Sequence, residues 1–356
     1  MKMKNRDVTI DTLKGVSIIL VVLGHVIQYI YAPNNYDDNW IFKVIYSFHM
    51  PLFFFVSGYL TGYKDTTIDW LIHRGARLVI PFVIWIPLDY VIGGGRSLSN
   101  LVVIFKRVFR DPSDGGLWFL WVLFLCCVLW FLIDNINKRT MKHIFTNSRR
   151  LSNIWLIMAE GVLLLFEIMI LLLMWYMAGF TTVLGLRLCC KEMVFFGAGV
   201  YINRCIGVCK ENKVFSWRYW KYIFVIGFPC MVIFGDRIHF TVFHSYLMTY
   251  FIDDSFIRIM VSAIEAVYFY LVSFVGIGFT WYIVKVTHLW YAEGWLKLVG
   301  KYTMEIYILH QYFFTNMCKN HIFNAVISFV LGIFMSLAIA IVFERQKIIA
   351  KILFGR

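Results

Sequence analysis

The chain has 356 residues, 60% of them hydrophobic and only 15% charged, with a formal net charge of +13. A mean hydropathy of +0.72 is too high for a water-facing surface, and the chain is far too long for a single anchor, which excludes a soluble domain. The expected fold class is an all-α polytopic integral membrane protein.

Apolar runs of spanning length occur at about 12–32, 41–62, 77–95, 116–134, 154–178, 191–204, 219–236, 257–284, 302–318 and 323–344, which predicts about ten transmembrane helices. With the N-terminus placed in the cytoplasm, 24 of the 34 Lys and Arg fall on the cytoplasmic side, in the basic stretches around Lys14, Arg74–Arg77, Lys138–Arg150, Arg204–Lys221, Lys285–Lys301 and Arg345–Arg356. That bias predicts an even number of spans with both termini inside. It also accounts for the basic balance without nucleic acid as a partner. The first run is longer than a signal-peptide core and lacks a small-residue cleavage site, so it is expected to be retained. Residues 1–356 read as one membrane domain with short loops, and no appended soluble domain is expected.

The first run carries a line of polar residues, Asp11, Lys14, His25 and Gln28. Eleven helical residues come within roughly 20° of three turns, so Lys14 and His25 share a face about 16 Å apart along the axis. Asp11 and Gln28, each three residues outside that pair, stay near the same face. Ionisable groups inside a spanning helix are costly and point by default to a functional interior or wet cavity. The competing account is a polar seam that pairs this helix with a neighbour.

In the second run, His49 precedes Pro51 and is expected at the outer start of the helix, with Ser57 and Gly58 about two turns deeper. His49 is a candidate binding or proton-accepting group with Ser57 beneath it; an interfacial histidine is the structural alternative. Gly58 is expected to allow close helix approach. Arg74 and Arg77, three apart, are expected at the cytoplasmic start of the third helix, where they could clamp phosphates or merely anchor the helix. Pro81 is expected to break or kink that helix.

Arg96, Lys106, Arg107 and Arg110 cluster before the fourth run, as an interfacial amphipathic segment or a contact for an anionic lipid-linked substrate. Trp118 belongs either to an aromatic belt or to a cavity wall. Glu160 and Glu167, seven apart on the fifth run, share a face; with Asp89 and Glu265 they suggest either a proton path or helix-to-helix hydrogen bonding. Of the eight cysteines, Cys126, Cys127, Cys189, Cys190, Cys230 and Cys318 lie in or beside apolar runs, and Cys205 and Cys209 in a basic loop. Small buried apolar roles fit the first six, and no metal site is expected.

Several blocks fall in order along most of the chain: Asp11-Thr-Leu-Lys14-Gly15, Gly24-His25, Phe48-His49-Met50-Pro51 through Ser57-Gly58, His73-Arg74-Gly-Ala-Arg77 through Pro81-Phe82, Leu117-Trp118-Phe119-Leu120, and Gly300-Lys-Tyr-Thr-Met-Glu305-Ile-Tyr307-Ile-Leu-His310. In these blocks the chain resembles the acyltransferase 3 family, and within it the fucose 4-O-acetylase-like group. The family's hallmark is an arginine, ten intervening residues and a histidine on the first helix; Lys14 stands here at the arginine position. Lysine keeps the charge and loses the planar fork.

The resemblance implies transfer of an acyl group, usually acetyl, from a coenzyme A thioester to a glycan hydroxyl. Acetyl-CoA is then the donor, the acceptor is a cell-surface polysaccharide or its lipid-linked precursor, and the location is a multi-pass bacterial plasma or inner membrane in contact with lipid. A sugar hydroxyl needs a base that works near neutral pH, which histidine supplies. His25 is the expected general base or a transient acyl carrier, with Asp11 and Lys14 orienting the site or meeting the cofactor. Arg74, Arg77 and Lys14 are the expected cofactor contacts. His49, Ser57, Trp118, Glu305 and His310 are the expected acceptor contacts; His310 matches the family pattern, and Glu305 has packing as its alternative. Some relatives in the family carry a fused extracytoplasmic esterase-like domain, so this chain is expected to act alone or with a separate extracytoplasmic partner protein. The runner-up function is a transporter or flippase, against which no inverted repeat of the motifs is visible. A non-catalytic sensor would need no Lys14–His25 stripe.

Overall fold

The computed structural model describes residues 8–93, 97–110, 116–147, 169, 184–209, 217–234, 255–287 and 293–356. Twelve α-helices are described: α1 (Val8–Val26), α2 (Trp40–Gly62), α3 (Ile68–Ile92), α4 (Leu98–Arg110), α5 (Trp118–Asn147), α6 (Leu186–Cys209), α7 (Trp217–Phe234), α8 (Ser255–Thr287), α9 (Glu293–Lys301), α10 (Thr303–Leu309), α11 (His321–Glu344) and α12 (Lys347–Phe354). No strand occurs among the described residues. Among the described residues, six stretches are long and apolar enough to cross a membrane: Thr9–Tyr31, Trp40–Gly62, Ile68–Ile92, Trp118–Arg139, Met260–Val286 and His321–Glu344. They coincide with the first four, the eighth and the tenth predicted runs.

The other four runs fare differently. The fifth, with Glu160 and Glu167, lies outside the described residues apart from Met169, and Arg96 lies outside them too. The sixth is helical within α6, and the seventh within α7 as far as Phe234, but neither is among the six spanning stretches. The ninth, 302–318, is not one helix. It is the seven-residue α10, a 3₁₀ turn at His310–Phe313, and non-helical chain up to α11. The reason is visible in the backbone bonds of the non-helical part. Thr315 N–H donates to Ser328 Oγ at 3.0 Å, and that hydroxyl donates back to Thr315 O at 3.1 Å. Cys318 N–H donates to Asn324 Oδ1 at 3.0 Å, while Asn324 Nδ2 donates to Cys318 O at 2.6 Å and Asn316 Oδ1 at 2.7 Å. Two buried polar residues of α11 thus satisfy groups that helix would otherwise pair internally.

The chain divides into two compact units, Met1–Val56 with Cys205–Val342, and Ser57–Arg204 with Phe343–Arg356. In the first unit, α1 is the central helix, with Ile10, Leu13, Ile18, Val21, Val22 and Val26 all buried. It packs on α9 through glycines at two levels. A Cβ on Gly15 would overlap the Leu296 carbonyl, and one on Gly300 would overlap the Asp11 carbonyl. Side-chain-free crossing of this kind brings helix backbones together in a membrane, where no hydrophobic effect drives association. A π-helical turn, Ile27–Tyr31, follows α1, and Ile27 joins Phe42 and Ile45 of α2 in a small apolar cluster. Ser273 of α8 donates to the Ser47 carbonyl at 2.7 Å, and Phe48 packs edge-on against Phe228 of α7.

In the second unit, Thr67 caps α3 by accepting from Trp70 N–H at 3.2 Å. Phe82, Phe109 and Trp121 join α3, α4 and α5 in one aromatic group. Trp85 Nε1 donates to Leu353 O of α12 at 2.8 Å. The expected close approach at Gly58 is present, since a Cβ there would overlap the Phe196 carbonyl of α6.

Two local expectations are overturned. α3 starts at Ile68, because Thr67 supplies the cap, so Arg74 and Arg77 lie in its second and third turns rather than at its start; of the two effects expected of Pro81, the break is absent, since α3 continues through Pro81 and Pro87. α2 begins at Trp40, so His49 lies in its middle and Pro51 inside it, not at the outer end.

Candidate active site

The first unit gathers the titratable groups at the end of α1. His25 Nδ1 lies 2.8 Å from His310 Nε2 and 3.2 Å from Gln311 Nε2. The two imidazole planes are within 9° of parallel at a centroid separation of 5.1 Å. That separation is the N···N distance plus two ring radii, so the rings meet edge to edge in one plane rather than face to face. His310 is only 1% exposed, and its Nδ1 lies 2.9 Å from the Ile306 carbonyl one turn back on α10. His25 is half-buried, with the exposed Tyr29 ring 5.8 Å away. The π turn that follows His25 is itself a feature that recurs at functional sites.

The neighbours of this pair come from α2. Tyr46 OH donates to Gln28 Oε1 at 3.0 Å, so the last member of the polar stripe is tied to α2. His49 is 3% exposed; its Nδ1–H donates to the Ile45 carbonyl at 2.8 Å, and its ring lies 4.5 Å from that of Tyr46. Glu305 is buried on α10. At the other end of α1, Asp11 Oδ1 and Lys14 Nζ are 3.5 Å apart, with Asp11 in the first turn where a helix favours negative charge. Helical rise separates this ion pair from His25 by about 16 Å, so the stripe holds two groupings rather than one.

The second unit holds the remaining candidates. Arg74 Nη2 donates to Thr61 Oγ1 at 3.4 Å, and its guanidinium lies 5.7 Å from the Trp70 ring centroid. Arg77 is exposed. Lys64 is exposed by area, yet partial enclosure of its ammonium, followed by the charges of Arg74 and Arg77, holds it below the usual lysine range. Ser57 is half-buried near the end of α2, and Trp118 opens α5. Cys126, Cys127, Cys189 and Cys190 are buried as expected, whereas Cys230 and Cys318 are exposed. The Cys205 and Cys209 side chains lie outside the described set. Among the described residues no group of three or more His, Cys, Asp or Glu is arranged to hold a metal ion.

Sequence reasoning passed over Gln311, Tyr46 and the buried Asp134. Asp134 Oδ2 lies 2.8 Å from Lys138 Nζ, its Oδ1 2.8 Å from Arg204 Nη2, and it also accepts from Thr66 Oγ1. Gln311 had a visible signal, a polar residue directly after the His310 block. Asp134 had a weaker one, as an acid at the very end of an apolar run.

Two curated relatives are similar in part. A nodulation protein NolL of Sinorhizobium fredii is 44% identical over 147 residues, 37% of this chain and 38% of the relative. A nodulation protein NolL of Mesorhizobium japonicum is 28% identical over 175 residues, 46% of this chain and 42% of the relative. The chain therefore spans less than half the length of these relatives. No solved structure matches. The acyltransferase 3 family, described as an acyltransferase domain, matches residues 7–345, nearly the whole sequence with both histidines of the pair: the chain belongs to the acyltransferase 3 family.

Proposed function

We propose that the protein is an integral membrane O-acyltransferase that moves an acetyl or other short acyl group from cytoplasmic acyl-coenzyme A to a hydroxyl of a cell-surface polysaccharide or its lipid-linked precursor. The observation that carries this reading is the His25–His310 contact at 2.8 Å, held at the end of the first spanning helix in a chain of the acyltransferase 3 family. Ionisable side chains among membrane helices are rare and point to a functional site by default.

In this reading His25 takes the proton of the acceptor hydroxyl as its oxygen attacks the thioester carbonyl. The new C–O bond forms, the C–S bond breaks, and the departing sulfur receives the proton back from His25, leaving an ester and free coenzyme A. Arg74 and Arg77 pair with the coenzyme A phosphates. Lys14, paired with Asp11, supplies a fixed positive charge at the cytoplasmic end of α1.

Mass spectrometry of surface glycans tests the proposal. Cells carrying the gene should show acyl-ester mass increments that disappear in a deletion strain and stay absent when His25→Ala is expressed at normal level in the membrane. Ester content unchanged by His25→Ala would remove His25 from the chemistry. Identical glycans with and without the gene would remove the function.

A further inference from the structure

The hydrogen-bond pattern around His310 fixes more than proximity. Its Nδ1 is 2.9 Å from the Ile306 carbonyl oxygen, which can only accept, so Nδ1 carries a proton and donates it. In a neutral imidazole the other nitrogen is then an acceptor alone. That nitrogen, Nε2, is the atom 2.8 Å from His25 Nδ1. With His310 neutral, His25 Nδ1 must be the donor, and its own proton therefore sits on Nδ1. The remaining lone pair of His25 is on Nε2, on the side of the ring away from His310.

The in-plane arrangement of the rings, 9° between planes, is what a direct N–H···N bond requires. Gln311 lies 3.2 Å from the same His25 Nδ1. The atom at that distance is the amide nitrogen Nε2; the inferred tautomer requires the amide turned to present its oxygen, an exchange that leaves the group in place. The opposite pattern would make His310 an imidazolium donating to His25 Nδ1. It would place a positive charge on a ring that is 1% exposed, which burial penalises. It would also leave His25 with its proton on Nε2, where a base needs a lone pair.

We infer that His310 is a positioning residue: anchored by the Ile306 carbonyl, it holds His25 in the tautomer protonated on Nδ1 and so presents Nε2 as the base, an inference that rests on the acyl-transfer reading of His25. When Nε2 takes the hydroxyl proton, the charge on His25 is shared with His310 through the Nδ1–H···Nε2 bond. When the thiolate sulfur takes that proton, the pair returns to its neutral form. This assigns to His310 an action on His25 rather than the contact with the acceptor expected from its motif.

Nitrogen NMR of the full-length protein, labelled with ¹⁵N-histidine and held in lipid nanodiscs, reads the tautomer directly. His25 should show a protonated Nδ1 and a bare Nε2, and His310 a protonated Nδ1. A His25 protonated on Nε2, or a His25 signal indifferent to His310→Ala, overturns the inference. Kinetics with radiolabelled acetyl-CoA in membrane vesicles that carry the host glycan give a second arm. His310→Ala should lower kcat by roughly a hundredfold or more with KM for the acceptor unchanged. His310→Gln, whose amide oxygen reaches the place of Nε2, should recover at least about a tenth of the wild-type rate. Equal losses in the two variants, or a raised KM with kcat intact, overturn the positioning role. Wild-type protein with the stated tautomer but no acetyl transfer would instead sink the acyl-transfer reading and leave the geometry standing.

Discussion

Lys14 and Asp11 lie one turn apart on α1, with nitrogen and oxygen 3.5 Å apart. A single lysine ammonium facing a carboxylate is a point charge, and nothing in that contact uses a planar fork. Lys14→Arg should therefore keep ester formation within roughly tenfold of wild type, measured as labelled ester in membrane vesicles. Lys14→Met should lower stability by about 1–3 kcal/mol, because Asp11 is buried and loses a cation; a detergent unfolding curve checks this. At Lys64 the sign of the perturbation gives a second prediction. Partial enclosure and the nearby guanidinium groups favour its neutral amine, so an amine-reactive label should modify Lys64 faster than an unperturbed lysine at the same pH. Coenzyme A phosphates at Arg74 and Arg77 would restore the ammonium and slow that labelling; a rate blind to coenzyme A would count against the phosphate clamp. At this scale the candidate residues were legible in the sequence, since Asp11, Lys14, His25 and His310 stand out by polarity and motif. It did not show their pairing, because His25 and His310 are 285 positions apart and only helix packing joins them.

α1 owes its place to α9, and the site owes its shape to a broken element. Gly15 meets the Leu296 carbonyl and Gly300 meets the Asp11 carbonyl, backbone against backbone, so an added methyl cannot be absorbed by turning a side chain. Gly15→Ala or Gly300→Ala should destabilise by about 1–3 kcal/mol through overpacking and reduce ester formation with it, whereas Gly294→Ala, which meets nothing within 4 Å, should do neither. Thermal unfolding in detergent with a parallel activity assay separates the three. The chain just beyond His310 depends on Asn324 and Ser328 of α11 for its backbone hydrogen bonds. Asn324→Leu should leave the Cys318 groups unpaired, cost about 1–3 kcal/mol, and loosen His310. This explains why 302–318 reads as a span. Its hydropathy is right for one, and the groups that stabilise the break sit on another helix, as single polar residues inside a very apolar run. His49 illustrates the same limit, since Pro51 suggests a helix start while α2 carries it in its interior.

For the whole molecule, hydropathy was the most legible property, because lipid demands long apolar helices wherever the chain crosses. Six of the ten predicted runs reappear as helices fit to span. The distribution of Lys and Arg predicts both termini on the cytoplasmic side, so green fluorescent protein fused after Arg356 should fluoresce and alkaline phosphatase fused there should stay inactive. Catalysis itself is best read with purified full-length protein in lipid vesicles, given acetyl-CoA labelled in the acetyl group and the host's lipid-linked glycan. The wild type should move label into a base-labile ester and release an equal amount of free thiol, and His25→Ala of unchanged thermal stability should do neither. Undiminished transfer by His25→Ala, or none by the wild type, would contradict the account.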